Sequence, residues 1–242
     1  MTKMLPRRLL VAALLAAGVA SSAQAVNFVE IDGANLTFFY DADFWGLGTA
    51  SVTGNKISFA ISDDFDVTAK SSTVSGHGAA AHVDDNSLSV FAVAKSGYSV
   101  SSLVQASSST SVNFTTGNGT AAGVLSGSVS GGAFNGDDFV AIHNDGSYYD
   151  DFQLYTGSSP YSTTAALAAN GGVAGNFYAA TGVETFIGVG AEQYGKGLSH
   201  AALTDVSYNF SVTAVPEPET YAMLLAGLGL VGFAARRRKQ AA

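Results

Sequence analysis

The chain has 242 residues, a formal net charge of −8 and no cysteine, so its length suits one medium-sized domain with terminal appendages. The lack of cysteine excludes disulfides, thiolate catalysis and Cys-ligated zinc or iron–sulfur sites. Residues 26–214 hold 4 lysines against 17 acidic residues, a net charge of −13, and because such a field repels nucleic acid we expect no nucleic-acid partner.

The N-terminus has the three-part pattern of a secretory signal peptide. An apolar run over residues 9–20 follows three basic residues, which are Lys3, Arg7 and Arg8. Behind the run, the small residues Ala23 and Ala25 form an A-x-A cleavage site. The run is too short for a durable membrane span. We predict that residues 1–25 form a signal helix, that the Sec machinery exports the chain, and that the mature protein begins at Val26.

Residues 26–214 are predicted to form an all-β passenger domain. Ile57, Phe59 and Ile61 alternate with polar residues, and such alternation marks strands with one buried face. Runs of this kind or short apolar runs cover residues 36–40, 56–62, 88–93, 98–104, 111–115, 124–129, 139–143, 152–155, 175–179, 184–189 and 206–213.

Dipeptides typical of turns lie between the predicted strands. They are Asp32-Gly33, Gly54-Asn55, Asn118-Gly119, Asn135-Gly136, Asp145-Gly146 and Asn170-Gly171. These pairs tolerate the positive φ that tight hairpin turns require. Many short strands at such spacing predict an antiparallel β-sandwich or jelly roll. Only residues 162–169 look helical.

Acidic pairs recur along the passenger, and clustered carboxylates suit Ca²⁺, which takes six to eight oxygen ligands. The best candidate set is Asn135, Asp137 and Asp138. No D-x-[DN]-x-[DN]-G loop is present, and solvated strand ends explain the acids more simply. Apart from this weak calcium site we expect no cofactor and no metal.

No catalytic residue can be assigned from the sequence. His77 and His82 flank a small-residue segment, interpreted as a loop with two exposed histidines, because zinc needs at least three convergent ligands. There is no G-x-S-x-G elbow. A glycosidase needs two carboxylates about 5–10 Å apart across a cleft, whereas the acids here occur mostly in adjacent pairs. We therefore expect a protein that is not an enzyme.

Two groups of aromatic residues lie beside carboxylates, at residues 38–45, which include the only tryptophan, Trp45, and at residues 148–155. Exposed aromatic faces next to acids hold sugar rings. Aromatic residues on strands also pack into cores. Core packing is favoured here, and sugar binding stays open.

The C-terminal residues 215–242 combine three features in order. Pro216, Glu217 and Pro218 form a rigid acidic hinge. An uncharged run over residues 221–235 would be about 22 Å long as a helix, marginal against a hydrocarbon core of about 30 Å. The predicted transmembrane anchor comprises Tyr221, Leu224, Leu225, Leu228, Leu230, Val231 and Phe233. The basic end that would stay on the cytoplasmic side is Arg236, Arg237, Arg238 and Lys239.

This arrangement closely resembles the PEP-CTERM sorting signal of Gram-negative bacteria. The resemblance covers about the last 28 residues and implies that an exosortase recognises Pro216, Glu217 and Pro218 as substrate residues. It further implies a chain held in the inner membrane with its passenger in the periplasm, then processed and moved to the cell surface or outside. Proteins with this tail are typical of bacteria that make exopolysaccharide and biofilm, so exopolysaccharide is a further expected partner.

The sequence leaves three hypotheses for the passenger. The leading one is a non-enzymatic cell-surface or extracellular-matrix protein. The alternative is a carbohydrate-binding or glycan-processing module, suggested by the aromatic and acidic clusters. The third is an ice-binding-type surface protein, which predicts a flat Thr-rich face; the sequence shows no sign of one.

Overall fold

The computed structural model describes residues 27–157, 160–215 and 222–231. The predicted signal helix with Ala23 and Ala25 lies outside the described residues. So do the hinge residues 216–218, the anchor residues Tyr221 and Phe233, and the basic end at residues 236–239. These remain predictions from the sequence.

Between residues 27 and 215 the described chain forms strands, one short helix and one 3₁₀ turn. The strands are β1 (Phe28–Asp32), β2 (Leu36–Asp41), β3 (Ala50–Thr53), β4 (Lys56–Ala60), β5 (Asp66–Ser71), β6 (His77–Ala94), β7 (Tyr98–Phe114), β8 (Asn118–Phe134), β9 (Phe139–Thr156), β10 (Tyr161–Gly171), β11 (Phe177–Tyr178), β12 (Ala180–Tyr194) and β13 (Gly197–Ala214). The helix is α1 (Ala42–Trp45), and the 3₁₀ turn is Asp63–Phe65.

The strands make two antiparallel sheets. A six-stranded sheet has the order β1-β2-β6-β12-β8-β9, and a seven-stranded sheet contains the path β10-β7-β13-β4-β3, with β11 on β7 and β5 on β13. Side chains from both sheets share one core, so the arrangement is that of a β-sandwich. The predicted all-β class with antiparallel pairing is confirmed.

Aromatic side chains from both sheets meet in the core. Phe38 of the six-stranded sheet packs against Phe210 of the seven-stranded sheet with ring centroids 5.6 Å apart. The Trp45 ring stacks on Phe59, with centroids 4.0 Å apart and planes 7° apart. The Trp45 indole N–H donates to the carbonyl oxygen of Ser89 at 3.0 Å. The aromatic group at residues 38–45 therefore serves mainly the core.

The helical interpretation of residues 162–169 is wrong. They belong to β10, which pairs with β7 from Tyr161 opposite Phe114 to Gly171 opposite Val104. Alanine favours helices in isolation, but the burial of this segment alternates from residue to residue. Hydrogen bonding to the long β7 strand overrides the local preference.

Several strands are longer than the apolar runs predict. The runs 98–104 and 111–115 are parts of one strand, β7, because the Ser- and Ala-rich segment between them also pairs. The predicted turn at Asp145-Gly146 lies inside β9, as a register shift rather than a hairpin. The segment of His77 and His82 is the start of β6, not a loop. Small polar residues form these strand segments without the apolar alternation that would reveal them.

The C-terminal tail is described in part. Residues 222–231 are helical, and their side chains are exposed. Across the portions of the chain that the structure covers, no helix reaches the length and apolar character that crossing a membrane needs.

Candidate functional site

An open cleft of about 210 Å³ lies on the outer face of the six-stranded sheet. Val183 and Val129 point into the core, so their neighbours along β12 and β8 point the other way. Those neighbours line the cleft together with residues of β6 and β9. The lining residues are Ser87, Leu88, Ser128, Ser130, Phe139, Ala141, Gly182 and Glu184. The lining thus combines serine hydroxyls, one carboxylate and one aromatic ring.

The alternation of β12 turns the Glu184 carboxylate towards the cleft. Val183 and Ile187 point into the core, so Glu184 faces outward. The pairing of β6 with β12 shifts at this point, because Ser87, Leu88 and Ser89 of β6 lie opposite Glu184 alone, and these three residues form a β-bulge in β6. The Glu184 side chain is exposed, and the Ser128 hydroxyl donates to its Oε2 atom.

A buried hydroxyl network holds this bulge from the core side. The Tyr148 hydroxyl donates to the Glu184 carbonyl oxygen at 2.6 Å. Ser89 Oγ donates to the Val183 carbonyl at 3.2 Å and lies 2.5 Å from Thr185 Oγ1, which lies 2.6 Å from the Tyr208 hydroxyl. Each hydroxyl has one proton, so the chain of donors runs from Tyr208 to Thr185 to Ser89. The Val183 and Glu184 carbonyls, which lie opposite the bulge, are therefore fixed by side chains.

Burial keeps the two tyrosines of the network protonated. Desolvation raises the pKa of Tyr208 to about 12. Desolvation, followed by the proximity of Tyr208, raises the pKa of Tyr148 well above its ordinary value. Both phenols therefore remain donors at neutral pH, which the network requires.

Gly127 makes room for the network, and a side chain there is expected to break it. A Cβ at Gly127 would lie 2.0 Å from the Glu184 carbonyl oxygen and 2.6 Å from the Tyr148 hydroxyl. We expect Gly127→Ala to lower the free energy of unfolding by about 1–3 kcal/mol, because the backbone at Glu184 must shift. Urea unfolding followed by circular dichroism measures this loss. Gly157→Ala is the control: a Cβ at Gly157 would meet no neighbour within 4 Å, so the substitution should leave stability unchanged. Gly136→Ala is unsuitable, because φ is +106° at Gly136 and alanine would be strained there.

Most of the residues singled out in the sequence lie away from the cleft. Trp45 is in the core. Tyr149 and Tyr155 are 55% and 59% exposed on the same strand as Phe139, but they do not line the cleft. The Asp150 carboxylate accepts a hydrogen bond from the Ala168 backbone at 3.0 Å. The aromatic and acidic group at residues 148–155 is thus split between two faces of β9.

The calcium candidates form a turn. Asn135 Oδ1 accepts hydrogen bonds from the backbone nitrogens of Asp137 at 2.9 Å and Asp138 at 2.8 Å, and all three residues are exposed. In the described part of the chain, no three His, Cys, Asp or Glu side chains are grouped so as to hold a metal ion. The turn explains this sequence without a cation.

The two histidines pack against aromatic rings. The His77 ring stacks on Tyr194 with centroids 4.5 Å apart, and His82 contacts Phe65 edge-on, also at 4.5 Å. His77 is exposed and His82 half-buried. His77 thus connects β6 with β12, and His82 connects β6 with the 3₁₀ turn.

A second bulge, in β9, carries a buried carboxylate that faces the other sheet. The Asp145 side chain is 1% exposed, and its Oδ1 accepts hydrogen bonds from Asn176 Nδ2 at 3.0 Å and the Tyr178 hydroxyl at 3.2 Å. Burial acts to raise the pKa of Asp145, but hydrogen bonds from Ser102, Tyr178 and Asn176 outweigh it and lower that pKa. Asp145 thus ties β9 to the seven-stranded sheet as an ionised group.

The sequence did not single out Glu184, Ser128 or Phe139. One signal was present: Glu184 interrupts the apolar and β-branched run from Val183 to Ile187. An acid between two buried residues, Val183 and Thr185, marks a position on the outer face of the strand. Phe139 and the serines carry no comparable signal, because their convergence depends on strand register.

Comparison with family models identifies the tail. Residues 214–239 match the model described as the PEP-CTERM protein-sorting motif. The tail carries a PEP-CTERM sorting motif. The matched range includes Pro216, Glu217 and Pro218 and the four basic residues at 236–239. A PEP-CTERM tail implies export, sorting to the cell surface and processing by an exosortase.

The passenger was compared with curated sequences and with solved structures. No curated protein sequence matches the chain. A solved structure described as "CBM4 structure and function" aligns with 9% identity and a TM-score of 0.16, over 74% of this chain and 87% of that one. A structure of the infectious bursal disease virus Gt strain aligns with 11% identity and a TM-score of 0.16, over 68% of this chain and 41% of the viral one. TM-scores this low give no ground for assigning a fold or a function.

Proposed function

We propose that this protein is a non-enzymatic cell-surface protein of a Gram-negative bacterium, processed by an exosortase at its PEP-CTERM tail and retained by exopolysaccharide in the biofilm matrix. Before processing, the tail helix holds the chain in the inner membrane, with the passenger in the periplasm and Arg236 to Lys239 on the cytoplasmic side. After processing, the passenger resides at the cell surface or outside the cell.

The position of the tail relative to the fold carries this proposal. The last strand, β13, ends at Ala214, and the Val215 backbone nitrogen donates to the Gly97 carbonyl at 2.8 Å. The Pro-Glu-Pro triplet of the sorting motif begins with the next residue, Pro216. Cleavage near the Pro-Glu-Pro triplet would therefore remove no strand from the sandwich and would release a complete domain.

The composition of the cleft supports a passenger that does not catalyse hydrolysis. Hydrolysis of a glycosidic bond requires a pair of carboxylates across the substrate. The described residues that line the cleft include a single carboxylate, Glu184. The Asp145 carboxylate of β9 faces the opposite sheet. The same cleft favours carbohydrate binding as a second candidate function for the passenger.

The proposal is tested by locating the processed protein with and without exopolysaccharide. The full chain is produced in an exosortase-containing host, and in the same host with exopolysaccharide synthesis deleted. Immunoblots of cells, extracted matrix and medium are expected to place the passenger in the matrix of the first strain and in the medium of the second. An identical distribution in both strains would refute retention by exopolysaccharide. Release of reducing sugar from the extracted polysaccharide would refute the non-enzymatic assignment.

A further inference from the structure

We propose that the cleft around Glu184 binds one neutral hexopyranose unit of a polysaccharide. This inference rests on the proposed function, because it names the site through which the passenger would hold the matrix. The argument has three parts: the chemistry of the lining, its charge, and the way the fold fixes the binding groups.

The lining matches the two kinds of surface on a sugar ring. Ser87, Ser128 and Ser130 contribute hydroxyls that both donate and accept, and Glu184 contributes a charged acceptor. Phe139 and Leu88 contribute apolar surface against which the C–H face of a pyranose packs. The volume of about 210 Å³ lies below the roughly 300–1,000 Å³ of sites for larger small molecules. The cleft therefore suits a single ring of a longer chain.

Charge selects a neutral sugar over an acidic one. Among the described residues lining the cleft, none is Lys or Arg, and Glu184 is acidic. The passenger as a whole carries a net charge of −13. A uronate, sulfate or phosphate group would meet like charge both in the cleft and over the surrounding surface.

The core fixes the Glu184 carboxylate. Its backbone carbonyl is held by Tyr148 from inside the sandwich, and its side chain accepts a hydrogen bond from Ser128 on the neighbouring strand. Burying four hydroxyl groups beneath one bulge is costly unless all are satisfied. Each of them donates one hydrogen bond here. Such support lowers the entropy lost when a ligand binds.

The Phe139 ring lies over two glycines, Gly132 and Gly182. A Cβ at Gly182 would lie 2.7 Å from Phe139 Cε1, and a Cβ at Gly132 would lie 2.9 Å from its Cζ. The ring also stacks on Phe91, with centroids 5.6 Å apart and planes 29° apart. Glycines on two adjacent strands thus let the ring lie flat across the sheet, where it forms one side of the cleft.

Binding of the full chain, purified in detergent, to defined polysaccharides tests the inference. The probes are dextran, galactomannan and arabinogalactan as neutral polymers, alginate as a polyuronate and chitosan as an amine-bearing polymer. Affinity electrophoresis is expected to show retardation by at least one neutral polymer and none by alginate. Glu184→Gln and Phe139→Ala are each expected to weaken that binding about tenfold or more, since each removes a main contact.

Glu192→Gln is the matched control. Glu192 lies on β12 with Glu184, on the same face, about 26 Å away at ~3.3 Å per residue, and it accepts a hydrogen bond from Tyr194 at 2.8 Å. It does not line the cleft, so its substitution should leave affinity unchanged. Circular dichroism and the fluorescence of the buried Trp45 verify that each variant is folded.

The possible results distinguish failure of the cleft assignment from failure of the proposed function. Retardation by a neutral polymer that is equal in the parent protein, Glu184→Gln and Phe139→Ala overturns the cleft assignment but leaves retention by exopolysaccharide standing. Stronger retardation by alginate or chitosan than by every neutral polymer overturns the neutral-sugar assignment. No retardation by any polymer overturns the inference. The proposed function fails with it only if the passenger is also absent from the matrix in the localisation experiment.

Discussion

Trp45→Ala is expected to lower the free energy of unfolding by about 3–5 kcal/mol, the usual cost of truncating a large buried aromatic side chain. Trp45 is 4% exposed and stacks on Phe59 of the seven-stranded sheet. Its removal leaves a cavity between the sheets and the Ser89 carbonyl without its indole donor. Because domains are stable by only about 5–15 kcal/mol, the variant should lie close to global unfolding at moderate temperature.

Urea unfolding followed by far-ultraviolet circular dichroism measures the effect, since the substitution removes the only tryptophan. Trp45→Phe is the control, because phenylalanine keeps an aromatic ring against Phe59 and loses the hydrogen bond to Ser89 and part of the indole volume. The control should cost about 1–3 kcal/mol. A loss below about 1 kcal/mol for Trp45→Ala would contradict the placement of Trp45 in the core.

Joint replacement of Pro216, Glu217 and Pro218 by alanine is expected to abolish exosortase processing. The PEP-CTERM match covers these residues, and the two prolines restrict the backbone in a way that alanine does not. In an exosortase-containing host, the variant should keep its full mass and stay with the membrane fraction, whereas the parent chain loses the mass of its tail. Intact-mass spectrometry of both fractions measures the difference.

Glu219→Ala provides the matched control for that experiment. It changes an acidic residue beside the triplet without changing the triplet, and processing should persist. The expectation fails if the triple variant is shortened as fully as the parent chain. It also fails if the parent chain keeps its tail in a host whose exosortase processes a second PEP-CTERM protein.

The apolar strands were predictable because their alternation is local. Val206, Tyr208 and Phe210 alternate with polar residues, and all three are buried in β13. The Ser- and Ala-rich parts of β7 and β10 were not predictable in this way. Their side chains are too small to signal a buried face, and pairing with neighbouring strands decides their conformation.

The cleft depends on register, which no local pattern determines. Ser87 and Leu88 lie beside Glu184 because the pairing of β6 with β12 shifts between Val183 and Thr185, and Phe139 reaches the cleft because glycines on two neighbouring strands make room for it. The aromatic group around Trp45 had the composition of a sugar site, but its alternation placed it between the sheets. Composition alone could not decide between core packing and sugar binding, since it does not distinguish the two faces of a sheet.

The place of β13 in the seven-stranded sheet bears on when the protein folds. β13 pairs with β7 on one side and with β4 and β5 on the other. The strands on its two sides do not pair with each other, so the sheet stays in separate parts until β13 has been synthesised. It is also the last strand to leave the ribosome, immediately ahead of the sorting tail. The sandwich therefore cannot close while its final strand is still being made. A chain built in this order keeps the seven-stranded sheet incomplete until synthesis of the passenger ends.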